Sequence, residues 1–222
     1  MATADKLKVK AADIINFELN VFDTQKGVIW GAHQEFIANS QLDNLASCHA
    51  SLTAIGRTKN PQTTSICALF DHEEVGSESA TGANGNFLAS VVDRICLDLH
   101  QEDKLRALAK SFFISADMAH AFHPNFAGSY EPCHHVHVNQ GPVIKTNANQ
   151  RYATDAKSAA RFIQLCEQAG VPYQQYAHRT DLGCGSTIGP IIASKLGIAS
   201  VDVGAPMWAM HSIREKIGRA HV

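Results

Sequence analysis

Two adjacent glutamates stand in an Asp-His-Glu-Glu run, Asp71 to Glu74, directly after the short apolar segment Ser65–Phe70. Neighbouring carboxylates in a loop need not point the same way. One can hold a metal ion while the other reaches a water molecule beside it and takes its proton. Three more candidates stand near the ends of apolar or periodic segments. Asp43 opens a helical pattern, Asp117 follows the run 111–116, and His211 follows the run 198–203 and a turn containing Pro206. Carboxylate oxygen and imidazole nitrogen are donors that Zn²⁺ or a comparable divalent ion accepts, and one carboxylate can bridge two ions. Each residue also has a plainer role. Acidic loops after strands are usually solvated, and a lone Asp at a helix start usually caps it. Spacing alone leaves both readings open.

The elements around these residues follow from hydrophobic periodicity. Residues 15–21 alternate, with Ile15, Phe17, Leu19 and Val21 on one side, and predict a half-buried strand. Helical spacing starts at Leu42 and continues through Leu45, Leu52 and Ile55. Segments 65–70, 111–116, 142–146, 173–178 and 198–203 read as strands. Segments 87–99, 156–169 and 187–196 read as helices, the last two stopped by Gly170 and Gly197. A further helix is expected from Ser212. The alternation from about residue 40 onward predicts an α/β layered fold with a mixed, mostly parallel sheet flanked by helices. In such sheets sites form beyond the carboxyl ends of strands, so one shared site fits these positions. Residues 1–37 are more strand-like and read as a separate module before 38–216. The closing hexapeptide, 217–222, reads as a non-native tail and is set aside from the fold.

Composition narrows the class. The 222 residues are 45% hydrophobic and 18% charged with a formal net charge of −2, enough to bury one sizeable core. Neither nucleic acid nor an anionic membrane is an expected partner, since both require a basic surface. No apolar run approaches the roughly 18 residues of a membrane span, and the N-terminus has no signal-peptide core. None of the six cysteines forms a Cys-x-x-Cys pair, so they read as small buried hydrophobes in a reducing compartment, with a cytoplasmic location as the default.

Longer blocks carry a resemblance. Asp71-His-Glu-Glu-Val-Gly-Ser-Glu-Ser79 and Ser115-Ala-Asp-Met-Ala-His-Ala-Phe-His-Pro-Asn125 resemble the aspartyl aminopeptidases of the M18 zinc metallopeptidase family. So do Gly141-Pro-Val-Ile-Lys-Thr-Asn147, Gln150-Arg-Tyr-Ala153, Gly185-Ser-Thr-Ile-Gly-Pro190 and Ala209-Met-His-Ser-Ile-Arg-Glu215. Gln41-Leu-Asp-Asn-Leu45 fits as well, and the blocks come in the family's order. The resemblance implies a zinc-exopeptidase fold, two zinc ions in a complete site, and release of N-terminal Asp or Glu from peptides. It implies that Asp43 bridges the ions, Glu74 and His211 complete one site, Asp117 serves the other, and Glu73 is the general base. His120, Lys145 and Tyr152 match substrate-contacting positions. Lys145 suits an acidic side chain, and His120 or Tyr152 could polarise the scissile carbonyl.

The chain also departs from the family. Members carry an N-terminal catalytic segment whose His-x-Asp element supplies a further ligand, and an inserted dimerisation domain whose histidine reaches the partner's site in the homo-oligomer. Residues 1–37 would be the end of that insertion, and the chain would be N-terminally incomplete. It is therefore expected to be an inactive fragment. Two alternatives stand beside this reading: a co-catalytic zinc peptidase of other specificity, and a non-catalytic assembly or cargo component. Intact Glu73 argues against the second. The histidines of 120–137 read as active-site loop residues. Asp181–Gly189 lacks the Gly-Lys-Ser/Thr ending of a phosphate loop and reads as a turn shaping the pocket.

Overall fold

A computed structural model of the chain describes residues 2–221. The strands are β1 (Val28–Trp30), β2 (Phe36–Asn39), β3 (Phe112–His120), β4 (Val143–Thr146), β5 (Gln174–Ala177), β6 (Ala199–Trp208) and β7 (Glu215–Gly218). The helices are α1 (Ala2–Leu7), α2 (Leu42–Arg57), α3 (Phe87–Ile95), α4 (Gln101–Lys110), α5 (Ala156–Ala169) and α6 (Ile188–Leu196). Local chemistry sets several ends. Asp155 accepts from Ser158 N–H at 2.7 Å and the Ser158 hydroxyl accepts from Asp155 N–H at 2.9 Å, a capping box that starts α5. Thr187 caps α6, and Gly170 and Gly197 end α5 and α6 in the left-handed region.

The seven strands form one mixed sheet in the order β1-β2-β7-β6-β4-β5, with β3 on the other edge of β6. The β3–β6 and β4–β5 ladders are parallel, and the rest are antiparallel. β6 is the spine. It pairs with β3 from Phe112↔Ala199 to His120↔Met207, with β4 near its middle and with β7 at its end. Phe162 and Ile163 of α5 pack on Ile144, Val201 and Val203. Leu42 and Ala46 of α2 pack on Met118, Met207 and Ile217.

Several sequence expectations are corrected here. Residues 15–21 form no strand, and Ile15 and Val21 are fully exposed. Segment 65–70 also forms none, with Ile66 and Leu69 about half exposed. Alternation describes which way side chains point, but a strand exists only with a ladder partner, and neither segment has one. No helix starts at Ser212. A turn leads instead into β7, so the hexapeptide set aside from the fold contributes the buried Ile217 and Gly218 to the sheet. Residue 37 lies inside β2, which pairs with β7, so the sheet runs through the expected module boundary.

The chain exposes 14865 Å², against about 9,900 Å² for a compact monomer of this size. Much of the excess is apolar: Leu45, Leu52 and Ile55 of α2, Phe87 and Ile95 of α3, and the 65–70 segment. Among the described residues β3 pairs only with β6, which leaves a nine-residue edge open.

The β3–β6 contact depends on one small residue. A Cβ at Gly204 would lie 2.6 Å from the carbonyl carbon of Met118 on the neighbouring strand. Backbone cannot yield cheaply, so Gly204→Ala is expected to cost about 1–3 kcal/mol of stability. Urea denaturation checks this, and an unchanged midpoint would contradict it.

Candidate metal centre

Three irregular turns bring the candidate ligands together. Asp43 sits in the first turn of α2 with non-helical dihedrals (φ −83°, ψ 112°), preceded by Gln41 in the left-handed region. His72 (φ 61°) and Gly76 (φ 97°) bracket a single 3₁₀ turn, Glu73–Val75, which carries both glutamates to the cleft. His211 (φ 63°) lies on the turn between β6 and β7. Its Nε2 is 3.1 Å from Glu74 Oε2 and 3.5 Å from Asp43 Oδ2. One donor atom from each of these three residues lies within 4.8 Å of the others.

Asp117 lies within β3, since the strand runs on to His120. It is not in the close trio. Its Oδ2 accepts from Lys145 Nζ at 3.2 Å, and Lys145 also donates to the Met118 carbonyl at 2.9 Å. The Lys145 ammonium, almost wholly buried, sits 5.1 Å above the Tyr152 ring. Glu73, His120 and Tyr152 line the same cleft, of about 410 Å³, as the trio, Asp117 and Lys145. All eight residues singled out by sequence therefore share one cleft.

Like charges crowd this cleft. Burial, then the negative charges of Asp117, Glu74 and Glu215, push the Asp43 carboxyl up to about 8. Burial, then Asp117 and Glu74, push Glu73 up to about 7, with Lys145 and His211 opposing. Burial lowers the His120 imidazole, and the nearby His211, Lys145 and His178 lower it further. Burial raises the Tyr152 phenol, which stays protonated at neutral pH. Two oxygen donors and one imidazole nitrogen, set among carboxylates that resist ionising together, suit a divalent cation such as zinc.

Some groups at the site were not singled out by sequence. Glu215, buried at the start of β7, accepts from the N–H groups of both Asp43 and His211. His178 lines the cleft and its Nδ1 meets the Tyr176 hydroxyl at 2.6 Å. Asp202, fully buried in β6, accepts from Ala153 N–H and the Thr187 hydroxyl, both at 2.6 Å, and so holds the loop that carries Tyr152. A lone acid in an apolar strand pattern was the available signal for Asp202, because such a group must find donors.

A layered α/β chain that gathers carboxylates and an imidazole in one cleft has the donor set of a metal site. The chain belongs to the M18 family: the family model described as "Aminopeptidase I zinc metalloprotease (M18)" matches residues 2–222. A probable M18 family aminopeptidase 2 from Pseudomonas syringae pv. tomato is 47% identical over 205 residues, covering 92% of this chain and 47% of that protein. Among solved structures, Ape4 in the cryo-EM complex of Ape4 and Nbr1 aligns with a TM-score of 0.87 at 40% identity, over 95% of this chain and 41% of that one. The S. cerevisiae mApe1 dodecamer aligns with a TM-score of 0.85 at 30% identity, over 98% and 50%. The chain thus spans about half the length of the relatives it matches.

The crowding predicts a pH dependence. Without metal, folded Asp43 keeps its proton up to about pH 8, whereas in the unfolded chain it loses it near its ordinary 3.8. The folded state then holds more protons across that window, so stability falls as pH rises through it. Glu73 adds the same sign between 4.5 and about 7. The metal-free chain is expected to show a lower Tm at pH 8.5 than at pH 5.5, and Asp43→Asn is expected to flatten the slope. Calorimetry in chelator checks this, and a flat profile for the parent chain would contradict it.

Proposed function

We propose that this chain carries most of the active centre of a zinc aminopeptidase that releases N-terminal Asp or Glu from peptides. The observation that carries the reading is Glu73, poised near neutrality beside the Asp43–Glu74–His211 trio. A general base works best with its pKa near the working pH. A binding-only cleft has no use for such a group.

Asp43, Glu74 and His211 would hold one zinc, and Asp43 together with Asp117 would serve a second. Bound zinc supplies Lewis-acid polarisation of the scissile carbonyl and acidifies water. Glu73 takes the proton of the attacking water and passes it to the leaving amine. Lys145 presents a cation to an acidic side chain at the substrate N-terminus. Tyr152, kept protonated, and His120, kept neutral, can each donate a hydrogen bond to the oxygen that gains negative charge.

The whole enzyme needs more than this chain. The open β3 edge and the exposed apolar faces of α2 and α3 fit a surface that the remaining half of the relatives' length covers. We expect the 222-residue chain alone to show no turnover of Asp- or Glu-amides. The dodecameric relative supports a homo-oligomer for the longer protein. All six cysteines are free thiols, which supports a cytoplasmic setting. No helix among the described residues is long and apolar enough to cross a membrane.

The test uses a protein in which this sequence is joined to the missing half of its relatives' length. Glu73→Gln is expected to lower kcat on an aspartyl amide by about 10²–10⁴-fold with zinc content unchanged. Lys145→Met is expected to lower aspartyl over leucyl selectivity by about 10–100-fold, the worth of a hydrogen bond to a charged group. Full activity of Glu73→Gln would remove the base assignment. Unchanged selectivity in Lys145→Met would remove the acidic preference.

A further inference from the structure

Glu215 is 3% exposed, yet no lysine, arginine or histidine side chain is hydrogen-bonded to its carboxylate among the described residues. A buried carboxylate must find donors. Both of its donors are main-chain. Oε2 accepts from Asp43 N–H at 2.8 Å and Oε1 accepts from His211 N–H at 2.7 Å. These two amides lie on irregular backbone, at the distorted start of α2 and at a left-handed residue of the β6–β7 turn. Regular helix or ladder bonds therefore do not fix them. Charge-assisted bonds of this length are strong and directional.

The two residues clamped are the ones whose side chains approach each other, His211 Nε2 lying 3.5 Å from Asp43 Oδ2. One carboxylate therefore sets the separation of two backbones far apart in the chain. The turn is anchored on its other side as well, because Arg214 donates to the carbonyls of Gln25, Lys26 and Ala38. We propose that Glu215 is the positioning residue of the metal centre, a two-handed backbone clamp that holds Asp43 and His211 at ligand spacing before any ion arrives. This rests on the metal-site reading above.

The chemistry is specific to glutamate. Gln offers one acceptor and turns an N–H toward the second amide, where it meets another donor. Asp keeps the charge but is one methylene too short to reach both amides. The two variants therefore separate positioning from charge.

The experiment uses the metal-free protein in which this sequence is joined to the missing half of its relatives' length, as parent, Glu215→Gln and Glu215→Asp. Amide hydrogen exchange is read at Asp43, at His211 and along the β3–β6 ladder, and Zn²⁺ is then titrated by calorimetry. Both variants are expected to lose about tenfold or more protection at the two clamped amides while the β3–β6 ladder keeps its own, and to bind zinc about 10–100-fold more weakly, the usual effect of removing a group that orients a ligand. A merely structural role would lower protection evenly and leave the zinc affinity of the folded fraction at the parent value, which overturns the clamp. Zinc affinity within about twofold of the parent in Glu215→Gln also overturns it. A parent chain that binds no zinc overturns the metal-site reading itself and the clamp with it.

Discussion

Mutual repulsion among carboxylates is the constraint around which this chain is organised. Asp43, Glu73, Glu74 and Asp117 share one partly buried cleft, with Glu215 just behind it. Two unit charges 4 Å apart repel by about 4 kcal/mol at an effective dielectric constant of 20. A fold can hold such a group only by supplying compensation. Here Lys145 answers Asp117, His211 sits against Glu74 and Asp43, and Asp43 and Glu73 retain protons well above the usual carboxylate range. A divalent cation is the economical form of the same compensation, and the family to which the chain belongs is one of zinc metalloproteases.

The sheet makes sense as the frame for that cluster. β6 is bonded on both edges and lies against β3, which carries Asp117 and His120, and β4, which carries Lys145. The turn after β6 carries His211, and β7 returns Glu215 beneath it. The close approach of β3 to β6, possible because residue 204 lacks a side chain, brings Lys145 within reach of Asp117 and the Met118 carbonyl.

Much of this was legible in the residues. Helices with clear periodicity and chemical stops, such as α5 between Asp155 and Gly170, appeared where expected. The candidate residues Asp43, Glu73, Glu74, Asp117 and His211 do line one cleft, although no strand precedes the glutamates and Asp117 lies inside β3 rather than after it. What was not legible depends on partners. Segments 15–21 and 65–70 have strand-like patterns but no neighbouring strand, and β7 is short enough that Glu-Lys-Ile-Gly carries no clear period. Glu215 and Asp202 were hidden for a related reason. Their importance lies in which distant donors they meet, and a lone acid in an apolar strand tells only that Asp202 must find some.

The position of β7 has a consequence in time. It is the last strand among the described residues, yet it lies between β2 and β6 and carries both Glu215 and the end of the His211 turn. A ribosome builds from the N-terminus, so Asp43 and Glu74 exist as a bare acidic pair for most of synthesis. The β1–β2 hairpin has no seat in the sheet until residues 215–218 emerge. His211 and the β7 seat for β2 emerge within a few residues of each other, so a nascent chain cannot bring His211 to Asp43 and Glu74 much before this side of the sheet can form.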